Sequence, residues 1–376
     1  MGLADEARRR WRAWRRPPAA PPAAAAPVRR WLAAQVAGRR EPPPEGEAAR
    51  DLLARLRLLP LAAAAAPAGS ELAGLRRAAV AADLAAQVLA RQAVDLLARH
   101  GVECVTIKGP AFAAQAYGDT ALRASADVDL LVRRRDLAAV RRACAAEGLR
   151  GAVRYPAWYE ERWHDHAVFS GLQAAPQVPL EVHWDVVHAG LSRLPVDEVL
   201  AGRVAVACGA ATLPAPSLPW QVVVTAAHVA RHYFDGRSLV DLAFLARRLD
   251  EAAWAEAVAC ARRAALGPAV YYAVTLSSRW LEWEAPAAVA ALRPGRLQDA
   301  VARRYLATLA PWPEAVTWRV IQWGKVGGAA AVSGRLGGLP GALRALSDRP
   351  NVWAAVDRAL RRRGGRAVRR GRPGAA

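Results

Sequence analysis

Lysine is almost missing from a strongly basic chain. Of 376 residues 53 are lysine or arginine, yet the lysines are Lys108 and Lys325 alone. Isoleucine is equally rare, and with 4 phenylalanines and 1 methionine the hydrophobic content of 54% rests largely on alanine. Such a bias toward arginine reads as base-composition pressure on the gene. A net charge of +20 ordinarily points to nucleic acid or an anionic surface. Here the basic residues concentrate at the two ends, so no nucleic-acid partner is expected. Cys104, Cys144, Cys208 and Cys260 are far apart and lack any Cys-x-x-Cys spacing, which excludes a disulfide framework or a zinc finger. Buried thiols in a reducing cytoplasm account for them. Long apolar runs are also missing. The Leu58 to Ala66 stretch is cut by Pro60 and followed by Pro67, well short of the roughly 18 to 20 residues of a spanning helix. Pro17, Pro18, Pro21 and Pro22 break up any signal-peptide core.

What is present reads in order as helices and a few short strands. Residues 1–45 alternate Arg/Trp clusters with Pro/Ala runs and are expected to bury no core. Trp11, Trp14 and Trp31, each near arginine, offer peripheral contact with a membrane surface or a partner. Residues 46–59 and 70–99 read as helices, the second with Val80, Leu84 and Val88 as its inward stripe and His100-Gly101 as its stop. Cys104 to Ile107 reads as a strand, and Lys108, Gly109 and Pro110 end it and open a helix. Val128 to Val132 is a second strand, and Asp136 to Glu147 a helix with Asp136 as N-cap. An aromatic stretch with Tyr155, Trp158, Tyr159 and Trp163 follows, then strands at Val168 to Ser170 and Val178 to Trp184. From about residue 206 the pattern is helical, and Arg361 to Arg372 is a solvated basic tail.

The chemistry gathers between residues 104 and 132. Asp127 and Asp129 are two apart at a strand start and therefore share a face. Two like charges there are costly unless a cation lies between them. Oxygen ligands suit Mg²⁺, which takes one or two carboxylates together with substrate phosphates. A chain this poor in lysine has nevertheless placed Lys108 at the first strand's end, where a compact ammonium can approach phosphate as a point charge. Arg123 stands four residues before Asp127 and can clamp further phosphate oxygens. On the later strand Glu181 and His183 share one face, so Glu181 can meet the aspartates across a sheet as third ligand or as base. His164, His166 and His183 lack the cysteine pair of a zinc site and read chiefly as hydrogen-bonding residues. His228 and His232 share a helix face, but Val229 stands where a zinc peptidase needs glutamate.

Lys108-Gly109, the Tyr117-Gly118 step, Arg123, the Asp-Val-Asp-Leu-Leu-Val strand and the Leu-Glu-Val-His-Trp run together resemble a bacterial nucleotidyltransferase family of the DNA polymerase beta-like superfamily. The resemblance implies an α+β nucleotidyltransferase fold, a small mixed β-sheet flanked by helices, with a C-terminal all-α helical domain. It implies Gly109 as the turn that grips triphosphate, Asp127 and Asp129 as the first two ligands of Mg²⁺ or Mn²⁺, and Glu181 as the third. Lys108 and Arg123 become phosphate-binding residues, and His183, His228 and the Asp241-Leu242 step accessory ones. Pro110 departs from the superfamily's usual serine and supplies neither hydroxyl nor N–H to phosphate. The expected organisation is a mobile arm at 1–45, a catalytic domain at 46–205, a helical domain at 206–348 and a terminal helix and tail at 349–376. The expected substrates are a nucleoside triphosphate and a hydroxyl acceptor, whether small molecule, peptide or saccharide. Transfer of another phosphate-linked group such as a sugar, and a non-catalytic module binding nucleic acid or an acidic partner, are the alternatives.

Overall fold

A strand buried on both faces fixes the position of everything near the two aspartates. Residues 23–152, 161, 164–187, 191–232 and 234–307 are described by the structure, a computed structural model. The aromatic stretch from Tyr155 to Trp163, apart from Glu161, the expected arm up to residue 22, and everything expected beyond residue 307, including the basic tail, lie outside the described residues. The elements run α1 (Ala25–Val36), α2 (Glu47–Arg55), α3 (Leu59–Ala65), α4 (Arg76–Arg99), β1 (Cys104–Thr106), α5 (Gly109–Tyr117), β2 (Val128–Val132), α6 (Leu137–Ala146), β3 (Arg150–Gly151), β4 (His166–Ser170) and β5 (Leu180–His183). They continue with α7 (Val196–Ala201), β6 (Val204–Cys208), β7 (Ala211–Ala215), α8 (Leu218–Arg231), α9 (Gly236–Ala246), α10 (Glu251–Arg263), α11 (Gly267–Leu281) and α12 (Arg296–Leu306). This is the expected α+β architecture, a mixed sheet flanked by helices with helices following it.

The five-stranded sheet has the order β1-β2-β5-β4-β3. Its one parallel pair is β2 with β5, which sets Asp129 opposite Glu181 and Leu131 opposite His183. Alternation then sorts the two faces. Val128, Leu130, Val132, Leu180, Val182 and Phe169 join one core beneath α4 and α6. On the other face Leu131 joins a second core with Trp220, Val223 and Ala227 of α8. Asp129, Glu181 and His183 alternate with the first set and so lie on the α8 side of the sheet. The carboxylates are therefore roofed by a helix rather than left in water.

Three expectations change. Residues 1–45 do contribute a core, since α1 buries Val28, Trp31, Leu32 and Val36 against α2, α3 and residues Val240, Ala243 and Leu281. Trp31 is 3% exposed, and its indole N–H donates to the Glu41 carbonyl at 3.0 Å, so it is no membrane anchor. The helical pattern begins at Leu218, not 206, because β6 and β7 form an antiparallel hairpin that lies along β1. Thr106 Oγ1 donates to the Pro214 carbonyl at 2.8 Å and fixes that hairpin. In α4 the inward stripe is Ala86, Leu89, Ala90, Ala93, Leu96 and Leu97, whereas Val80, Leu84 and Val88 are 40%, 53% and 56% exposed. Small alanines let the helix approach the sheet closely, and the large side chains take the outer face. The stop at His100-Gly101 is as expected, with Gly101 at φ 70° and Val102 N–H closing on the Leu97 carbonyl at 3.0 Å. Asp136 stands at the α6 N-cap position without a side-chain capping bond.

Substitutions in α4 separate the two stripes. Leu97→Ala should destabilise by about 2–5 kcal/mol, as a fully buried leucine does. Leu84→Gln should stay within about 0.5 kcal/mol of the parent. Urea unfolding followed by circular dichroism measures both, and a large loss from Leu84→Gln would show that face to be covered.

Candidate active site

The site begins where β1 ends. Lys108 is extended and stands at the N-cap of α5, Gly109 follows at φ 72°, and Pro110 fits the first helical turn. That left-handed step needs glycine for backbone reasons, since a β-carbon there would meet nothing nearer than Ser125 Oγ at 3.7 Å. The turn aims Lys108 at the acidic strand, and its Nζ lies 2.5 Å from Asp129 Oδ1.

Asp129 is 2% exposed and holds its charge through two partners. Burial alone would raise its pKa, but the Lys108 ammonium and the His183 imidazole, whose Nε2 is 3.1 Å from Oδ1, hold it well below the carboxylate range. Asp127 moves the other way, pushed up by burial and by the Asp129 charge. Glu181 Oε2 is 3.4 Å from the same His183 Nε2, and that hydrogen bond lowers its pKa. Burial works against the imidazolium of His183, yet Asp129 and Glu181 outweigh it and raise the pKa. His183 therefore ties the two carboxylates together.

A further layer lies behind His183. Asp165 is fully buried, paired with Arg231 of α8, and 3.4 Å from His166 Nδ1. The rings of His166 and His183 stack with centroids 5.0 Å apart. On α8, His228 contacts His232 at 4.1 Å between centroids. Burial, then the charges of Lys108, His232 and Arg231, lowers its pKa well below the ordinary value, so it is neutral at pH 7. Arg123 presents Nε and Nη2 to Asp241 of α9, between 2.9 and 3.1 Å, and its guanidinium lies over Phe112 at 4.8 Å. The Tyr117 hydroxyl donates to the same Asp241 at 2.7 Å. Asp241 is thus a strut that holds Arg123.

These groups surround a cavity of about 380 Å³, lined by Asp127 and Glu181 together with Arg57, Arg231 and Arg237. Asp129, Glu181 and His183 offer ligand atoms within 4.8 Å of one another, and Asp165, His166 and His183 form a second such group. Asp127 lines the cavity beside the first trio without belonging to it. Asp129 Oδ2 is buried with no hydrogen-bond partner, an oxygen that a cation would satisfy. Carboxylate oxygens beside one imidazole fit a divalent metal. Sequence reading brought Lys108, Asp127, Asp129, Glu181 and His183 to one place, and the structure does the same. It did not anticipate the Asp165–Arg231 pair, whose one signal was the His-Asp-His run before β4. Arg57 and Arg237 carried none.

A family model described as uncharacterised nucleotidyltransferase matches residues 51–282, more than half of the chain. The chain belongs to that family. The match spans α2 to α11 and so includes every residue named around the cavity. Nucleotidyl transfer is the general function this membership gives the chain, with a nucleoside triphosphate as substrate. No curated protein matches it. Among the described residues no helix is long and apolar enough to cross a membrane.

The Arg123–Asp241 pair, 9% and 5% exposed in its side chains, makes a structural prediction. Asp241→Ala should cost about 3–5 kcal/mol, because it strands a buried guanidinium. The double variant Arg123→Met with Asp241→Leu should recover most of that loss. Denaturant unfolding of the full cycle checks this, and additive losses would show the pair to be unimportant.

Proposed function

We propose that this protein transfers a nucleoside monophosphate from a nucleoside triphosphate to a hydroxyl acceptor, with Mg²⁺ or Mn²⁺ held by Asp129, Glu181 and Asp127. The observation that carries the reading is the register of β2 against β5, which sets Asp129 beside Glu181 while Asp129 Oδ2 stays buried and unpartnered. A divalent cation bound there supplies charge neutralisation to the attacking and leaving oxygens and orients the substrates.

The chain's own groups take the remaining roles. Lys108 keeps Asp129 ionised and sets a positive charge at the cavity wall, where the nucleotide phosphates lie. Gly109 supplies the turn that lets Lys108 reach that position. His183 fixes the separation of Asp129 and Glu181. Asp127, pushed toward protonation by its neighbour, is the carboxylate most easily altered when a cation arrives, and it opens directly onto the cavity. Glu181, kept ionised by His183, is suited either to hold metal or to take the acceptor's proton. His228 is a neutral imidazole on the cavity wall, able to hydrogen-bond substrate without adding charge. Arg123 belongs to the cavity frame through Asp241 and presents its remaining edge to phosphate. A small molecule, peptide or saccharide hydroxyl fits the acceptor role. Four unbridged, buried cysteines suit the reducing, nucleotide-rich cytoplasm.

Calorimetry with the four ribonucleoside triphosphates tests the reading. Wild type should bind at least one of them in a Mg²⁺-dependent manner, and Asp129→Asn should lose that dependence and, in transfer assays, lose orders of magnitude in rate. Nucleotide binding that is indifferent to metal and to Asp129→Asn would sink it.

A further inference from the structure

The cations around the cavity are unevenly paired. Lys108 is answered by Asp129, Arg123 by Asp241 and Arg231 by Asp165. Arg55 also lines the cavity and has a partner of its own, which leaves Arg57 and Arg237 without an ion pair among the described residues. Arg237 donates Nη2 to the Ala124 carbonyl at 2.5 Å, while its Nε is buried without a hydrogen-bond partner. Arg57 lies exposed on the cavity rim and has no carboxylate partner among the described residues. Burial is the main cause that lowers the pKa of Arg237, with Arg123 and, more weakly, Arg57 adding repulsion against the opposing charge of Asp241. Asp235 and Asp241 lie in the same lining, but neither forms an ion pair with Arg57 or Arg237 among the described residues, and a guanidinium with a free edge on a cavity is suited to bind an anion.

The backbone at Arg57 places its side chain on the cavity rim. It ends α2 at φ 55°, with Leu58 N–H closing on the Leu53 carbonyl at 2.8 Å. Glycine is the usual residue at this left-handed helix terminus, and an L side chain is strained there. Phe234, Ala265 and Glu282 adopt the same left-handed conformation, so the backbone at Arg57 sets where its side chain starts, on the rim of the cavity.

The acidic residues of the same cavity say which anion fits. Asp127 and Glu181 claim the metal and the reacting phosphorus, so the rest of a polyphosphate must extend away from them. The turn at Gly109 offers it little, because Pro110 has no N–H to give. A guanidinium presents a planar fork that matches phosphate oxygens two at a time.

Resting on the nucleotidyltransferase reading, we propose that Arg57 and Arg237 bind the β- and γ-phosphate oxygens of the nucleoside triphosphate. The nucleotide then bridges the N-terminal helices and α9, with its reacting end on the sheet.

The full chain is titrated by calorimetry with inorganic tripolyphosphate and with each of the four ribonucleoside triphosphates in Mg²⁺, as wild type, Arg57→Gly, Arg57→Lys and Asp129→Asn. Arg57→Gly should weaken both tripolyphosphate and nucleotide binding by roughly ten- to a hundredfold, the loss expected for charge-assisted hydrogen bonds. Its melting temperature should be unchanged or higher, since glycine relieves the strained φ. Arg57→Lys should recover part of the affinity. Unchanged affinity in Arg57→Gly, with metal-dependent nucleotide binding still lost in Asp129→Asn, overturns this assignment and leaves the transferase reading standing. If wild type binds no nucleotide, the transferase reading falls, and tripolyphosphate decides the rest. Binding of it that is lost in Arg57→Gly keeps the anion site, and no binding removes it.

Discussion

A carboxylate that is 2% exposed in the middle of a sheet has to be matched by positive charge, and the surroundings of Asp129 are arranged to do so. Lys108 arrives from the end of β1 and His183 from β5, both on Oδ1. The two contacts require the glycine turn at 109 on one side and the β2–β5 register on the other. A slip of one residue in that register would send Glu181 and His183 to the opposite, apolar face. The paired strands, the turn and the ionised carboxylate are therefore one constraint. The partners also leave Oδ2 unoccupied, so a cation taking that oxygen can do so with the Lys108 contact in place.

The helices are tied to the sheet by two further buried pairs. Arg231 of α8 meets Asp165 just before β4, and Arg123, in the loop before β2, meets Asp241 of α9. Buried ion pairs seldom add net stability relative to apolar packing of the same volume. What they do add is position, because a guanidinium and a carboxylate satisfy each other only in a narrow range of geometries. The surrounding apolar contacts of Trp220, Val223 and Ala227 with Leu131 supply the burial energy, and the pairs fix where the helices stand over the carboxylates.

Much of the site was legible in the chain because its signals are local. An Asp-x-Asp at a strand start, a Glu-x-His on a later strand and a Lys-Gly step between strand and helix each declare themselves within a few residues. The adjacency of β2 and β5 is a long-range fact, supplied by the family resemblance and not by periodicity. Alanine caused most of the errors in the fold. In α4 it forms the buried stripe, so the conspicuous Val80, Leu84 and Val88 misdirect, and in the β6–β7 hairpin its presence obscures the alternation of Val204, Val206 and Cys208, of which Val206 faces Leu213 across the hairpin. In α1 the arginines and neighbouring prolines concealed a sound helical spacing of Val28, Trp31, Leu32 and Val36. Arg57 was invisible for a different reason. Its place on the cavity rim follows from how the N-terminal helices pack on Val240, Ala243 and Leu281, which no local pattern encodes.

That packing carries the last consequence. The cavity is built by three separated stretches, the N-terminal helices, the sheet and α8–α9, and none of them makes a closed pocket alone. A ligand that touches all three gains affinity only to the extent that they are already held in register, since ordering them on binding would subtract from it. The third core, which joins α1, α2 and α3 to α9 and α11, provides that preorganisation. The N-terminal helices thus help build and hold the cavity, although none of the carboxylates that line it comes from them.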